Sequence, residues 1–495
     1  MRVNSMKAAA RTVAAGAAVA VSLGSAQAAL AAPAPGAIQV PCITSVLAAD
    51  IAGGVSGQTL SLVPSCNYQL SAALPVISKN LTIQGNGATI QRSYAPGTPA
   101  FRILTVTSGA VLVLNYLNLR NGDAAGLLVK TGNKHSAVRR DGTPAPIYPG
   151  YGGAIYNLDG AVTVNGGTLS NNTSGIDGGA IYSLTSLRVN RVLFVGNSSG
   201  DGGAIAISSP APVGIHQDGQ GISAMVTRST FTANSAVDGG AIYVNNSMTV
   251  ADSGFTRNTS TDSGGAIYVN NGSPIVTDSY FSQNRSDYGG GIYNDSHLTV
   301  TDGSFTDNTA RYDGGGIYNE YDLTVNGGTF TDNAADYGGG IYNEEDLTVT
   351  GGSFADNVAG YDGGGIYNDD YATVTGAAFR QNQAENGGGI YNNYNLTATG
   401  GTFTDNAARD GGGIYNDYNA TVSGATFRQN QARYGGGFYN NEDATITDSQ
   451  ITYNTASSAG GGIFNEENVT LTTSVVQNNH PDNCAPALSV AGCTG

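Results

Sequence analysis

Tryptophan is absent from the 495 residues, proline contributes only 15, and charged residues make up only 12%. An average soluble domain carries roughly 25% charge, and disordered chains are rich in proline and charge and poor in aliphatic residues. With hydrophobic residues at 40%, simple disorder is excluded and material for a core is present. Basic residues are few, 21 Lys and Arg against 37 Asp and Glu, for a net charge of −16. They are scattered, which argues against a nucleic-acid protein. Four cysteines in so long a chain do not make a disulfide scaffold. In the repetitive part of the chain no segment carries a 3.6-residue apolar period. Glycine, by contrast, is abundant at 72 residues, about twice the usual share of roughly 7%. It is a poor helix former, so a helix-rich protein is excluded too.

The first 31 residues have the three-part pattern of an export signal. Arg2, Lys7 and Arg11 precede an apolar run from Thr12 to about Leu23, and small residues follow at Ala26-Gln27-Ala28. Cleavage is expected near residues 28–32. The run falls short of the ~20 residues a membrane span needs, and no later run approaches that length. The expectation is a secreted, extracellular chain without membrane insertion, in which disulfides are permitted.

Most of the remaining chain is one repeat. Gly-Gly-(Ala/Gly)-Ile recurs with its Ile at 155, 181, 205, 242, 267, 292, 317, 341, 366, 390, 414 and 463, and Phe438 fills the same place once. Each copy also carries Phe-x-x-Asn, as in Phe330/Asn333 and Phe354/Asn357. Within a copy, apolar and polar residues alternate in three short runs separated by Gly, Asn and Asp, which reads as three strands per coil of 24–25 residues. Such a coil stacks on the next in parallel register, about 4.8 Å away. Ile317, Leu323, Val325 and Phe330 are expected to face inward, and Tyr318 and Thr324 outward. Asn319 and Asn333 are expected at the turns, where stacked amides satisfy one another. The fold class is an all-β parallel β-helix, a solenoid.

The paired GGAI/GGGI and F-x-x-N motifs resemble the repeat of the chlamydial polymorphic membrane proteins. More widely, the chain resembles secreted bacterial right-handed parallel β-helix proteins of the pectin-lyase-like kind, over roughly residues 150–480. The resemblance implies the right-handed fold and, from the chlamydial proteins, adhesion. Those relatives are displayed by a C-terminal membrane barrel. Here only a short tail follows Asn479, so surface display is not expected to carry over.

A solenoid must cover its ends. Residues 38–105 lie outside the repeat and are expected to form an N-terminal cap and degenerate first coils. Residues 42–51 are expected to form a capping helix, with strands at Thr59–Leu62, Leu81–Gln84 and Ile103–Val106. The β-helix proper is expected over 106–480, and a C-terminal disulfide cap over 481–495. Four cysteines allow three pairings. The two pairs lie at opposite ends, and a disulfide needs Cα atoms within about 7 Å. The expected pairs are therefore Cys42–Cys66 and Cys484–Cys493.

Two insertions interrupt the early copies, at about 124–150 and 207–221. The first contains Lys130, Lys134, His135, Arg139 and Arg140, and the second His216 and Asp218. They are expected to flank a patch carrying Tyr156, Tyr182 and Ala206 outward. Beside it, Asp177, Asp201 and Asp238 each precede a Gly pair. With Arg139 and Arg140 they are the catalytic candidates, since acid/base pairs with a nearby cation serve polysaccharide cleavage. Aspartate before glycine is also ordinary turn chemistry, and Asp313, Asp362 and Asp410 recur at the same place. Asp295, Glu320, Glu344 and Asp369 form an acidic column that is either a solubilising face or a weak calcium site. Asp307, Asp332 and Asp356 form another. A tyrosine column through Tyr293, Tyr318, Tyr342 and Tyr367 is, with Tyr156 and Tyr182, the candidate ligand surface. Thr348-Val349-Thr350 and its equivalents resemble the ice-binding faces of some β-helical antifreeze proteins. Gly196–Gly200 matches G-x-S-x-G but lacks the following helix of a nucleophile elbow. The four histidines show no metal spacing.

The functional reading is a non-catalytic, monomeric binding rod of the cell surface or matrix, with a polysaccharide or surface protein as partner. Apart from the calcium alternative, no cofactor is expected. A carbohydrate-active enzyme, a polysaccharide lyase or glycoside hydrolase with its groove at the early coils, is the alternative. Ice binding is the minor one.

Overall fold

The computed structural model describes residues 36–125, 150–208 and 224–493. The segment expected to be an export signal and most of both insertions, including Arg139, Arg140, His216 and Asp218, lie outside the described residues. Within them the chain winds into a parallel β-helix of three long sheets, with 17, 16 and 15 strands. The coil at Ile317 shows the plan. Ile317–Asn319 enters a tyrosine sheet, Asp322–Asn326 a threonine sheet and Thr329–Thr331 a phenylalanine sheet. Each strand pairs in parallel with its equivalents one coil away, as in Ile292↔Ile317↔Ile341 and Phe305↔Phe330↔Phe354.

The alternation rule places the core correctly. Ile317, Leu323, Val325 and Phe330 are all buried, within one continuous apolar core running from Val40 to Val490. Phe330, Phe354 and Phe379 stack with ring centroids 4.7 and 4.9 Å apart. Rings that repeat at the strand spacing keep this contact without leaving their rotamers, so each coil repeats the packing of the last.

The asparagine amides stack and satisfy one another as expected, with one addition. The asparagines stand at strand ends and corners, but their amides point into the core, and Asn319 and Asn333 are completely buried. The Asn333 Nδ2 donates to Asn357 Oδ1 at 3.0 Å and to the Phe305 carbonyl at 2.9 Å, while its backbone N–H also donates to Asn357 Oδ1. The Asn319 Nδ2 donates to Asn343 Oδ1 at 2.7 Å and to the Tyr321 carbonyl. Two buried amide ladders thus satisfy backbone groups that the corners leave unpaired.

The Gly pair serves two purposes. Gly314 is left-handed at φ +68°, and a Cβ there would lie 2.4 Å from the Ile317 carbonyl oxygen. At Gly315 a Cβ would lie 2.3 Å from the Gly339 oxygen of the next coil. The first glycine turns the chain and the second lets neighbouring coils approach. Asp307, Asp332 and Asp356 are also left-handed, at φ 55°, 55° and 57°, so that acidic column is turn chemistry, which Asp tolerates.

One feature was not legible in the three-strand reading. The middle coils contain a fourth short strand before the Gly pair, such as Arg285–Tyr288 and Thr309–Asp313, in a six-stranded sheet. As the expected degenerate first coils imply, the threonine sheet begins before the repeat, with Gln58–Leu62 and Leu81–Gln84 in register, and Ile38–Val40 adds one strand that was not expected. The helix Thr44–Gly53 buries Leu47 completely and packs Val46, Ala48 and Ile51 against the core, as a cap does. Cys42 is bonded to Cys66 and Cys484 to Cys493, with Cα separations of 5.8 and 6.3 Å.

Candidate functional site

The expected outward patch at the early coils is a buried cluster instead. Tyr156 and Ala206 are 0% exposed and Tyr182 7%, packed with Tyr151, Leu158, Leu184 and Tyr243. The Tyr151 ring lies tilted against that of Tyr182, with centroids 4.5 Å apart. The Arg102 guanidinium lies 4.5 Å from the centre of the Tyr156 ring and donates to the Tyr151 and Gly152 carbonyls. A strand residue faces solvent only if nothing crosses its face, and here residues 150–152 and Arg102 do.

Beside this cluster the structure brings Asp177, Asp201 and Asp238 into one column, joined by parallel bridges between consecutive coils. Burial, with the Asp201 charge adding to it, pushes the Asp177 carboxyl up to about 8. Burial pushes Asp201 up to about 6, and burial with the Asp201 charge does the same for Asp238. Their charges in turn raise the neighbouring Tyr182 and Tyr243 phenols, which burial raises most. Three carboxyls titrating near neutrality on one column can hold and release protons.

The tyrosine column is in register through the later coils. Its rings are stacked face to face, Tyr268–Tyr293 at 5.0 Å, Tyr293–Tyr318 at 4.7 Å and Tyr342–Tyr367 at 4.8 Å. Tyr318 is only 7% exposed, and Tyr293, Tyr342 and Tyr367 are half-buried. Ring faces spent on neighbouring rings are closed to a ligand, so the column offers edges and hydroxyls. The hydroxyls reach the acidic column: Tyr293 donates to Glu320, and Tyr318 to Glu344. Asn393 donates to Asp369 at 2.6 Å. Among the described residues no group of three or more His, Cys, Asp and Glu is placed to hold a metal ion. That includes Asp295, Glu320, Glu344 and Asp369, the calcium candidates.

Sequence reasoning missed the second wall. The residue before each Gly pair runs Tyr288, Asp313, Tyr337, Asp362 through four coils. Tyr288 lies edge-on to Tyr318 at 5.8 Å, and Tyr337 to Tyr367 at 5.6 Å. Between this wall and the tyrosine column lies a groove of about 500 Å³, lined by Asp238, Asp262, Tyr268, Tyr293, Asp313 and Glu344 among others. Burial first, then the Asp336 and Glu344 charges, push Asp313 up to about 6. The alternation of Tyr and Asp was visible in the sequence, but its sharing of a groove with Glu344 was not. On the threonine sheet, Thr348, Thr373 and Thr397 pair in register and stay exposed, as do Thr350, Thr375 and Thr399.

A family model for the right-handed β-helix region matches residues 213–384, and one for the Chlamydia polymorphic membrane protein repeat matches residues 166–184. No curated protein and no solved structure matches the chain. The repeat type and the two disulfides point toward an extracellular or surface protein. Among the described residues no helix is long and apolar enough to cross a membrane. The chain is a right-handed parallel β-helix repeat protein with repeats of the chlamydial polymorphic membrane protein type.

Proposed function

We propose that the chain is a secreted, non-catalytic rod that binds a polymer of the cell surface or matrix along the groove of its middle coils. The observation that carries this reading is the groove itself, about 500 Å³, whose lining runs from Asp238 to Glu344 and so crosses successive coils. A site built from repeats offers an extended ligand one set of contacts per coil, and stacked coils are nearly nearest-neighbour structures. Deleting residues 289–362, which removes whole coils and rejoins the repeat, should leave a folded protein and weaken binding on a glycan array. Unchanged binding by the shortened chain would sink the reading.

A second reading, a carbohydrate-active enzyme, is favoured by one observation. Asp177, Asp201 and Asp238 stand in consecutive coils with carboxyls raised to about 8, 6 and 6, the range of a general acid working at neutral pH. Asp201→Asn should then abolish polysaccharide turnover without unfolding the chain, and the coil deletion should leave turnover intact. No turnover by the wild-type protein on acidic, neutral and basic polysaccharides would end it.

A further inference from the structure

We infer that the groove is shaped for a polycation, namely a β-1,4-linked glucosamine chain with free amines. This rests on the binding-rod reading and names its ligand. Three features point to it.

The first is charge. Every charged residue lining the groove is acidic: Asp238, Asp262, Asp313 and Glu344. Among the described residues no ion pair neutralises any of them. The chain as a whole carries −16. A polyuronate would meet repulsion along the whole groove, whereas a protonated amine meets a carboxylate.

The second is the kind of polar group on offer. The rings of Tyr268, Tyr293 and Tyr318 stack on one another, so they present phenol oxygens, not open faces. The Tyr293 and Tyr318 hydroxyls already donate their protons to Glu320 and Glu344, so at these phenols and at the carboxylates the ligand must bring the donors. Ammonium groups and sugar hydroxyls are such donors. An N-acetyl group replaces three N–H donors and the charge with one neutral amide.

The third is period. On the second wall, Tyr288 pairs with Asp313 and Asp313 with Tyr337, and the Gly338 N–H donates to the Asp362 carbonyl. From Asp313 onward, at Asp362 and Asp410 and so past the groove lining, a carboxylate recurs on this wall every second coil, about 10 Å apart at the strand spacing, while Ser263 and Tyr288 separate Asp313 from Asp238. In a β-1,4-linked chain with a two-fold screw, successive rings face opposite ways, so amines offered to one wall recur at every second ring. Each ring advances by about one coil spacing. Tyr288 and Tyr337 then sit opposite the rings whose amines point away.

The test is calorimetric titration of the full-length protein with oligomers of glucosamine, N-acetylglucosamine and galacturonic acid, at low and high salt. Glucosamine should bind tightest and lose affinity steeply with salt. The double variant Asp262→Asn/Asp313→Asn should weaken it by about fivefold or more, from two partly exposed charge contacts. Asn386 holds the place of Asp313 three coils on, so asparagine suits that position, and an unchanged melting curve checks the fold. Asp405→Asn, a left-handed corner residue outside the groove lining, makes a similar charge change and should leave affinity as it is. Equal or tighter, salt-insensitive binding of the acetylated oligomer overturns the amine assignment and leaves the binding rod standing. Tightest binding of galacturonate overturns it as well. Binding of none of the three oligomers removes the amine assignment, while the coil-deletion test on a glycan array still decides the rod on its own.

Discussion

The Tyr318 hydroxyl donates to the carboxylate of Glu344, one coil further along the rod, at 2.5 Å. The phenol is thus pinned in its column by a residue of the next repeat, and the carboxylate is held at the groove edge. Burial, helped by this bond and the Glu344 charge, pushes the phenol above the ordinary tyrosine range. Burial also pushes Tyr415 up to about 12, and raises Tyr367 and Tyr391 as well.

These phenols are harder to ionise folded than unfolded. A group whose folded pKa is raised contributes stability below its unfolded pKa, near 10 for tyrosine, and loses it as pH climbs toward the folded value. The fold should therefore weaken progressively above about pH 10, with phenolate absorbance lagging behind that of free tyrosine until the circular dichroism signal collapses. Simultaneous ionisation of all tyrosines near pH 10 in a folded chain would contradict the buried column. Tyr318→Phe should cost about 1.5–3 kcal/mol, the worth of a hydrogen bond to a charged group.

Phe354 fills the space between Phe330 and Phe379 with no exposure. Phe354→Ala should cost about 3–5 kcal/mol through lost burial and the cavity left behind. Because coils contact mainly their neighbours, the damage should be local. Hydrogen exchange should accelerate around residues 330–380 and stay slow near residue 190. Protection unchanged throughout would place Phe354 outside the core.

Asn357 receives hydrogen bonds from the Asn333 backbone and side chain, and donates to Asn382 and to the Phe330 carbonyl. Asn357→Ala should cost about 2–4 kcal/mol, since several buried groups lose partners at once. Asn357→Asp keeps the shape and the acceptor but cannot donate, and it buries a charge. It should be at least as damaging at neutral pH and partly recovered in acid. Chemical denaturation at pH 4 and pH 7 reads both effects.

Asp177, Asp201 and Asp238 predict a pH dependence of opposite origin to that of salt-bridged carboxylates. Their folded pKa values, about 8, 6 and 6, lie above the unfolded value near 3.9. The folded state therefore holds protons that the unfolded state releases. The stability these groups contribute is complete below about pH 4 and is lost as pH rises through 6 and then 8. Asp177→Asn removes the titration and should raise stability by roughly 2 kcal/mol or more at pH 9. Melting temperatures at pH 5 and pH 9 measure it, and a gain that is larger at pH 5 would reverse the sign and refute the burial.

What the sequence by itself determined was periodic or local. Two-residue alternation marked Ile317, Leu323, Val325 and Phe330 as inward, and all four are buried. A spacing of 24–25 residues set the register, and placing each cysteine pair at one end selected Cys42–Cys66 and Cys484–Cys493. What only the tertiary structure decided was the environment outside the coil. Alternation gives the direction in which Tyr156 or Tyr318 points. It does not say that Arg102 and residues 150–152 cover the first, or that its own neighbours close both faces of the second. It likewise placed Asn333 at a corner without showing that the amide turns inward, because that choice depends on the carbonyls left unpaired by the adjacent coils. The groove arises the same way: Asp313 and Glu344 lie more than a full coil apart in sequence, and only the winding of the chain brings both to one groove.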